Sequence, residues 1–208
     1  MPVRIKICGI TNRDDAEAAV AAGADALGFI LYEKSKRFIP IEDAIRIVET
    51  LPPFVQTVAV TVNAVKEFTN LGWRKQLKNF GIAQMHGEES PGHVKAVSKY
   101  LPVIKVFPAD LTQKIDPANY NVAAFMLDTP SAERGGTGRP FDWNLAVEFK
   151  KRISRPLILS GGLSPENVAK AIETVQPYAV DVSSGVEASP GRKDHAKLRD
   201  FIRICKSF

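Results

Sequence analysis

The feature that most constrains the fold is the regular alternation of short β-rich runs with helical segments along all 208 residues. Eight such runs are predicted, and the segments between them have mostly helical periodicity. Strands that alternate with helices pair in parallel through right-handed crossovers. The sequence therefore predicts an α/β protein, a single eightfold β/α (TIM) barrel domain over residues 1–208. A doubly wound sheet has the same periodicity and is the alternative.

The predicted strands end on small or polar residues. They span residues 3–8, 25–31, 54–62, 82–86, 102–108, 122–128, 156–160 and 178–184. Helices are expected to begin at Thr11, at Ser164 with Pro165 in the first turn, and at Asp142, since these are good capping residues. A less regular helical region covers 64–80, with an interruption at Gly72. The last helix places Cys205 on its apolar face, so we expect this cysteine in the core.

The charge of the chain excludes several classes of partner. The formal net charge is +5, but the basic residues are scattered and form no dense block with interleaved aromatics, so we expect no nucleic-acid partner. A small anionic substrate would explain the excess of basic residues as well as a nucleic acid would. No apolar run approaches a membrane span and no leader is recognised, so a cytoplasmic location without membrane association is expected. Two cysteines imply no disulfide framework.

The region 156–191 contains two strand-to-glycine junctions separated by one helix. Such junctions gather backbone N–H groups, and glycine lets an anion approach closely. In β/α barrels, phosphate commonly lies at the loops after strands seven and eight. We therefore expect a phosphate group here, against the alternative of two ordinary turns. The predicted binding residues are Gly161, Gly162, Ser183, Ser184 and Gly185.

Closure of a barrel would bring the carboxyl ends of all the strands into one ring at the mouth. The polar positions in that ring are Cys8, the loop 32–37, Asn63, His86, Asp128, Ser160 and Ser184.

Three residues of this ring and its loops carry suitable chemistry. Nearby cations would lower the pKa of the Cys8 thiol enough for it to act as a base or a nucleophile, while a buried packing role is the alternative. Asp128 follows an apolar run, and burial would raise its pKa and suit it as a general acid; helix capping is the alternative. Arg37 is the planar donor best suited to a carboxylate, although a surface arginine is the commoner outcome. Lys34 and Lys36 are expected to be solvated.

Other chemistries lack a sequence signal. The three histidines and two cysteines have no metal-ligand spacing, so neither a structural nor a catalytic zinc site is expected. His93 and His195 are interpreted as helix-surface residues. The glycines from Gly135 lack a nucleotide-binding context and are typical of a mobile lid.

The motifs of the chain resemble those of the phosphoribosylanthranilate isomerases of tryptophan biosynthesis, and the resemblance covers nearly its whole length. It is carried by KICGIT from Lys6, GADALGF from Gly23, KSKRF from Lys34, QMHGEE from Gln84, LDT from Leu127, GGTGRPFDW from Gly135, LSGGLSPENV from Leu159 and VDVSSGVEASPG from Val180.

The resemblance implies an Amadori rearrangement of N-(5'-phosphoribosyl)anthranilate without a cofactor. It implies Asp128 as general acid, Cys8 as general base, Arg37 on the anthranilate carboxylate, and the region of Gly161, Gly162, Ser183 and Ser184 on the phosphate. His86 and Asp181 are also expected to bind the substrate. The alternatives are another sugar-phosphate barrel enzyme, such as an indole-glycerol-phosphate synthase, and a catalytically silent phosphate-binding subunit.

Strand parity makes a separate prediction about Lys6 and Asp181. Each lies on the polar side of a strand whose other side is apolar, so both should point into the barrel. Closure makes strands one and eight neighbours. We therefore expect an ion pair that compensates both buried charges and favours the Cys8 thiolate; a contact between Asp181 and the substrate is the alternative.

The apolar segment 51–55, LPPFV, permits two interpretations. It is compatible with a homodimer interface and with ordinary core.

Overall fold

The computed structural model describes residues 2–64, 67–68, 70–130 and 140–208. Eight parallel strands form a closed barrel. They are β1 (Arg4–Cys8), β2 (Ala26–Ile30), β3 (Gln56–Thr61), β4 (Ile82–Met85), β5 (Val103–Pro108), β6 (Ala124–Asp128), β7 (Leu157–Leu159) and β8 (Ala179–Val182).

The described α-helices lie between the strands and after the last one. They are α1 (Arg13–Ala22), α2 (Ile41–Val48), α3 (Leu71–Leu77), α4 (Pro91–Val97), α5 (Asn144–Lys151), α6 (Val168–Val175) and α7 (His195–Cys205). Short 3-10 turns cover Ala109–Lys114, Pro117–Asn119 and Ser184–Val186, and a small hairpin of β9 (Glu187–Ser189) and β10 (Arg192–Lys193) precedes α7. Among these helices none is both long and apolar enough to span a membrane.

Pairing of the first and last strands closes the barrel. Ile5 lies opposite Val180 and Lys6 opposite Asp181. An open doubly wound sheet leaves two edge strands unpaired, so this pairing excludes it. The predicted eightfold barrel is confirmed.

The alternation of side chains divides the core into two layers. A large apolar cluster fills the space between barrel and helices and includes Ile5 and Ile7 of β1. Smaller clusters fill the barrel interior, with Met126 and Ile158 in one and Cys8 in another. The parity predicted for β1, with its apolar residues facing the helices, is therefore confirmed. Cys205 is fully buried in the outer cluster, also as expected.

Several predicted helix starts are wrong. Asn12, and not Thr11, caps α1, because the Asn12 side chain accepts from the Asp15 N–H while the Thr11 hydroxyl donates to the Gly191 carbonyl. Helix α6 begins at Val168, since Ser164 and the following residues form a separate turn.

The remaining differences concern α3, α5 and the 135–138 glycines. Gly72 does not interrupt α3 but lies in its first turn, where the Asn70 side chain accepts its N–H. Asp142 accepts the Asn144 N–H at 3.0 Å, but the N-cap position of α5 is Trp143, so the predicted start lies one residue early. The glycines interpreted as a lid lie outside the described residues.

Candidate active site

A cavity of about 450 Å³ opens at the carboxyl ends of the barrel strands. It is lined by nine of the ten residues that the sequence suggested for catalysis or binding: Cys8, Arg37, His86, Asp128, Gly161, Gly162, Asp181, Ser183 and Ser184. The tenth, Gly185, is not part of the lining. A Cβ at that position would collide with the carbonyl oxygen of Leu163, so Gly185 allows two loops to pack closely.

The floor of this cavity contains the predicted ion pair. Lys6 Nζ lies 2.7 Å from Asp181 Oδ1, and the two side chains are only 4% and 7% exposed. Ser160 donates to the other carboxylate oxygen, Oδ2, at 3.1 Å. The pairing of Lys6 with Asp181 is therefore confirmed, and both oxygens of Asp181 are engaged within the protein.

The thiol of Cys8 lies directly above this pair. A Cβ on Gly28 of β2 would come within 2.9 Å of both Cys8 Sγ and Lys6 Nζ, so only glycine leaves room for them. Burial raises the pKa of Cys8 above its ordinary value, and the attraction of Lys6 lowers it without overcoming burial. The expected net lowering of the thiol pKa is therefore wrong, because sequence patterns do not reveal how completely a thiol is desolvated.

Lys6→Met should raise the pKa of Cys8 further and shift the midpoint of its alkylation to higher pH, because the nearest cation is lost. Asp181→Asn should shift the midpoint the opposite way, since Asp181 disfavours the thiolate and competes for Lys6. The measurement is the rate of iodoacetamide labelling against pH. Cys205 serves as an internal control because burial raises its pKa to about 12. An identical profile for both variants and the wild type would disprove coupling between the thiol and the ion pair.

Asp128 is held at the end of β6 by two contacts. Oδ1 accepts the Thr129 N–H at 2.7 Å, and Oδ2 lies 3.2 Å from His86 Nε2. His86 Nδ1 lies 3.4 Å from Gln84 Nε2. Gln84 was not predicted as a site residue, yet it lines the cavity and its Oε1 is buried without a hydrogen-bond partner in the described part of the chain. The signal in the sequence that could have identified Gln84 is its position in β4, where the alternation of side chains points it into the barrel.

Arg37 is not a simple surface arginine. Its Nε and Nη2 donate to the carboxylate of Glu187 at 2.8 and 2.7 Å, while the side chain also lines the cavity. Lys193 donates to the same carboxylate at 3.0 Å. Lys34 and Lys36 are exposed at the rim, as expected. Glu187 and Lys193 were not predicted as site residues. The only signal for them in the sequence is their position after the glycine-rich junction of β8.

The two predicted phosphate junctions lie side by side in the cavity wall. Gly161 has a φ of +87°, and a Cβ there would collide with the backbone of Thr129, so glycine is required. The Ser183 hydroxyl oxygen is buried and has no hydrogen-bond partner among the described residues. A polar group of this kind needs a partner, which a bound anion would supply.

A second cavity of about 410 Å³ adjoins the first and shares His86 and Asp128 with it. Its wall includes a buried ion pair, Lys105 Nζ to Glu89 Oε2 at 2.9 Å. Lys105 lies on the same side of β5 as Val103 and Phe107, which face the helices. The charge is therefore buried in the apolar outer layer, where sequence reasoning did not expect one.

His195 is the first residue of α7 and lies at the helix surface, as expected, with its side chain 41% exposed. Its Nε2 lies 2.8 Å from Asp15 Oδ1, and Asp15 Oδ2 accepts the Lys193 N–H at 2.9 Å. The start of α7 is thereby fixed to α1.

A thiol and a carboxyl group in one cavity at the carboxyl ends of a closed parallel barrel are typical of β/α-barrel enzymes that carry out acid–base chemistry. The protein is of that class. The family model for N-(5'-phosphoribosyl)anthranilate isomerase matches residues 5–204. The chain belongs to this isomerase family.

Individual members of this family match the chain over nearly the whole length of both proteins. The N-(5'-phosphoribosyl)anthranilate isomerase of Geobacter sulfurreducens is 48% identical, and the match covers 99% of this chain and 100% of the relative. A crystal structure of phosphoribosylanthranilate isomerase in complex with reduced 1-(o-carboxyphenylamino)-1-deoxyribulose 5-phosphate has a TM-score of 0.85 and 42% identity, covering 99% and 100% of the two chains. A structure of monomers generated from the dimeric enzyme of Thermotoga maritima has a TM-score of 0.85 and 41% identity, with the same coverage.

Proposed function

We propose that this protein isomerises N-(5'-phosphoribosyl)anthranilate to 1-(2-carboxyphenylamino)-1-deoxyribulose 5-phosphate, a step of tryptophan biosynthesis. The observation that carries the proposal is that Cys8 and Asp128 line the same cavity in a chain that belongs to this family. The reaction is an intramolecular redox isomerisation of an aldose derivative to a ketose derivative. C2 of the substrate is oxidised while C1 is reduced, so the electrons come from the substrate itself.

Asp128 is the general acid in this proposal. Oδ1 accepts the Thr129 N–H, so the transferable proton belongs on Oδ2, the oxygen beside His86. Transfer of that proton to the furanose ring oxygen breaks the C1–O bond and leaves an iminium at C1. The positive charge of the iminium makes the proton on C2 acidic. His86 positions Asp128 and contacts the opened sugar.

Cys8 is the general base that removes the C2 proton. Because burial raises the pKa of this thiol, the thiolate is a minor form at neutral pH but a strong base once formed. Lys6 stabilises that thiolate from below. Loss of the proton gives an enolamine, and its tautomerisation places the carbonyl at C2 of the product. Overall, C2 and its hydroxyl each lose a proton while the ring oxygen and C1 each gain one, so Asp128 and Cys8 can return to their starting protonation states.

Two groups of residues in the cavity bind the two charged ends of the substrate. The phosphate lies against Gly161, Gly162, Ser183 and Ser184, where glycine backbone and a buried hydroxyl offer donors. The anthranilate carboxylate is bound by Arg37, in the loop that follows β2. Asp181 has both oxygens engaged within the protein, which favours a role in holding Lys6 over a direct contact with the substrate.

A turnover assay tests this function. Phosphoribosylanthranilate is generated enzymatically, and its fluorescence should fall at a rate proportional to the concentration of the protein. Mass spectrometry should find a product of the same mass as the substrate. If phosphoribosylanthranilate is not consumed, the proposal fails and 1-(2-carboxyphenylamino)-1-deoxyribulose 5-phosphate is supplied instead. Its conversion with loss of carbon dioxide and water would indicate the indole-glycerol-phosphate synthase alternative, and no reaction with either compound would indicate the silent binding subunit.

We also propose that the protein forms a cytoplasmic homodimer through the segment 51–55. Leu51 and Val55 pack against the core, but Phe54 is 98% exposed, so the core interpretation does not explain it. Phe54→Glu should convert a dimer into a monomer in sedimentation velocity, because burial of that ring in a partner would become unfavourable. Phe208→Ser, at the partly exposed C-terminal ring, should leave the state unchanged. A wild-type protein that sediments as a monomer at all concentrations would refute the dimer.

A further inference from the structure

Glu187 is the central acceptor of a buried charge cluster beside the cavity. It begins β9, immediately after the turn that follows β8, and its side chain is 4% exposed. Arg37 meets it through two nitrogens, with Nε at 2.8 Å from Oε1 and Nη2 at 2.7 Å from Oε2. Two parallel charge-assisted hydrogen bonds fix both the position and the plane of a guanidinium.

Lys193 extends the cluster to the catalytic strand ends. Its fully buried ammonium lies 3.0 Å from Glu187 Oε1. It also donates to the carbonyl oxygens of Cys8 at 2.7 Å and Ser183 at 3.3 Å. Glu187 therefore holds the cation that ties the end of β1 to the end of β8.

The charges in this cluster explain why one carboxylate has to serve two cations. Arg37 and Lys193 repel each other, and Glu187 compensates both. Hydrogen bonding from Arg37 and the attraction of Lys193 lower the pKa of Glu187 despite its burial, so it stays ionised at neutral pH. Without it, Arg37 would lose its fixed plane, and a long flexible side chain would have to be ordered by the substrate itself.

We propose that Glu187 is a positioning residue that sets specificity for an arylamine with an ortho-carboxylate. Arg37 gives Nε and Nη2 to Glu187, and Nη1 takes no part in that pair, so this nitrogen is presented to the substrate carboxylate. The inference rests on the proposed function, since Arg37 must face the anthranilate carboxylate. Glu187 acts through Arg37 and does not touch the substrate.

The test compares two reduced product analogues in Glu187→Gln. One is reduced 1-(2-carboxyphenylamino)-1-deoxyribulose 5-phosphate, and the other is its phenylamino counterpart without the carboxylate. The variant should bind the first about tenfold more weakly and the second with an affinity within about twofold of the wild type, because only the carboxylate contact depends on an ordered Arg37. KM should rise more than kcat falls. Equal losses for both analogues would overturn the proposal and leave Glu187 a purely structural role.

Four further variants distinguish a positioning role from a purely structural one. In an Arg37→Met background, Glu187→Gln should add little to the loss of carboxylate preference, since the group it acts through is gone. If Arg37→Met itself retains that preference, the inference is refuted, while wild-type turnover still supports the proposed function. Glu187→Asp keeps the charge and should recover part of the preference, which covers the case in which the glutamine variant does not fold. Glu17→Gln, at an exposed ion pair with Arg13, is the matched control and should change neither affinity.

Discussion

Replacing either proposed catalytic residue should reduce turnover by two or more orders of magnitude. Cys8→Ala removes the base, and Asp128→Asn removes the acid while preserving its shape. General acid or base catalysis typically contributes about 10²- to 10⁴-fold, so kcat should fall by at least about 100-fold in each variant. The fall should appear in kcat rather than in KM, because both groups act on the transition state of a proton transfer.

The measurement is the decay of phosphoribosylanthranilate fluorescence, with circular dichroism and urea unfolding to show that each variant is folded. Asp200→Asn makes the same chemical change at an exposed ion pair with Arg203 on α7, so it should retain full turnover. Wild-type-like kcat in Cys8→Ala or in Asp128→Asn would eliminate that residue from its catalytic role.

Lys105→Met should destabilise the fold by about 3–5 kcal/mol, the usual consequence of removing one partner of a buried ion pair. The side chains of Lys105 and Glu89 are 1% and 0% exposed. Lys105 Nζ also donates to the Gly87 carbonyl at 2.7 Å and the Val106 carbonyl at 3.0 Å. Lys105 Nζ is also 3.3 Å from the Met85 carbonyl oxygen, so the substitution leaves a buried carboxylate without this cation and three carbonyl oxygens without this donor.

The loss should depend on pH in a direction that identifies its cause. In the wild type, burial raises the pKa of Glu89, but Lys105 and backbone hydrogen bonds outweigh burial and lower it below its ordinary value. A lowered pKa contributes stability above the unfolded value of about 4.3, and this is lost as the pH falls through the folded pKa. Without Lys105 the folded pKa should rise, so the variant should gain stability relative to the wild type as the pH falls.

Urea unfolding at pH 7 and at pH 4 measures both effects. Glu89→Gln added to Lys105→Met should recover a large part of the loss, since the uncompensated charge is gone. Lys151→Met removes an exposed pair with Glu148 and should have only a small effect at either pH. A pH-independent loss that Glu89→Gln does not recover would show that packing, and not charge, explains the effect of Lys105→Met.

Much of the fold and of the candidate site could be predicted from short-range patterns in the sequence. Alternating strands and helices predicted the closed barrel, because parallel strands need crossovers and eight such units close on themselves. The position at a strand end brought Cys8 and Asp128 to one cavity. Parity along β1 and β8, together with closure, was sufficient to predict the contact of Lys6 with Asp181. These features repeat with a fixed period, so they can be counted along the sequence.

Only the tertiary structure determined which charges compensate each other and how deeply each group is buried. Lys105 lies on the side of β5 that its apolar neighbours occupy, facing the helices. Its partner Glu89 lies in the loop after a different strand, β4. Arg37 and Glu187 are 150 residues apart in the chain, and no local pattern relates them. The direction of the Cys8 pKa shift also could not be predicted from the sequence. Desolvation of the thiol depends on every side chain around it, whereas its position at a strand end follows from the periodicity of the chain alone.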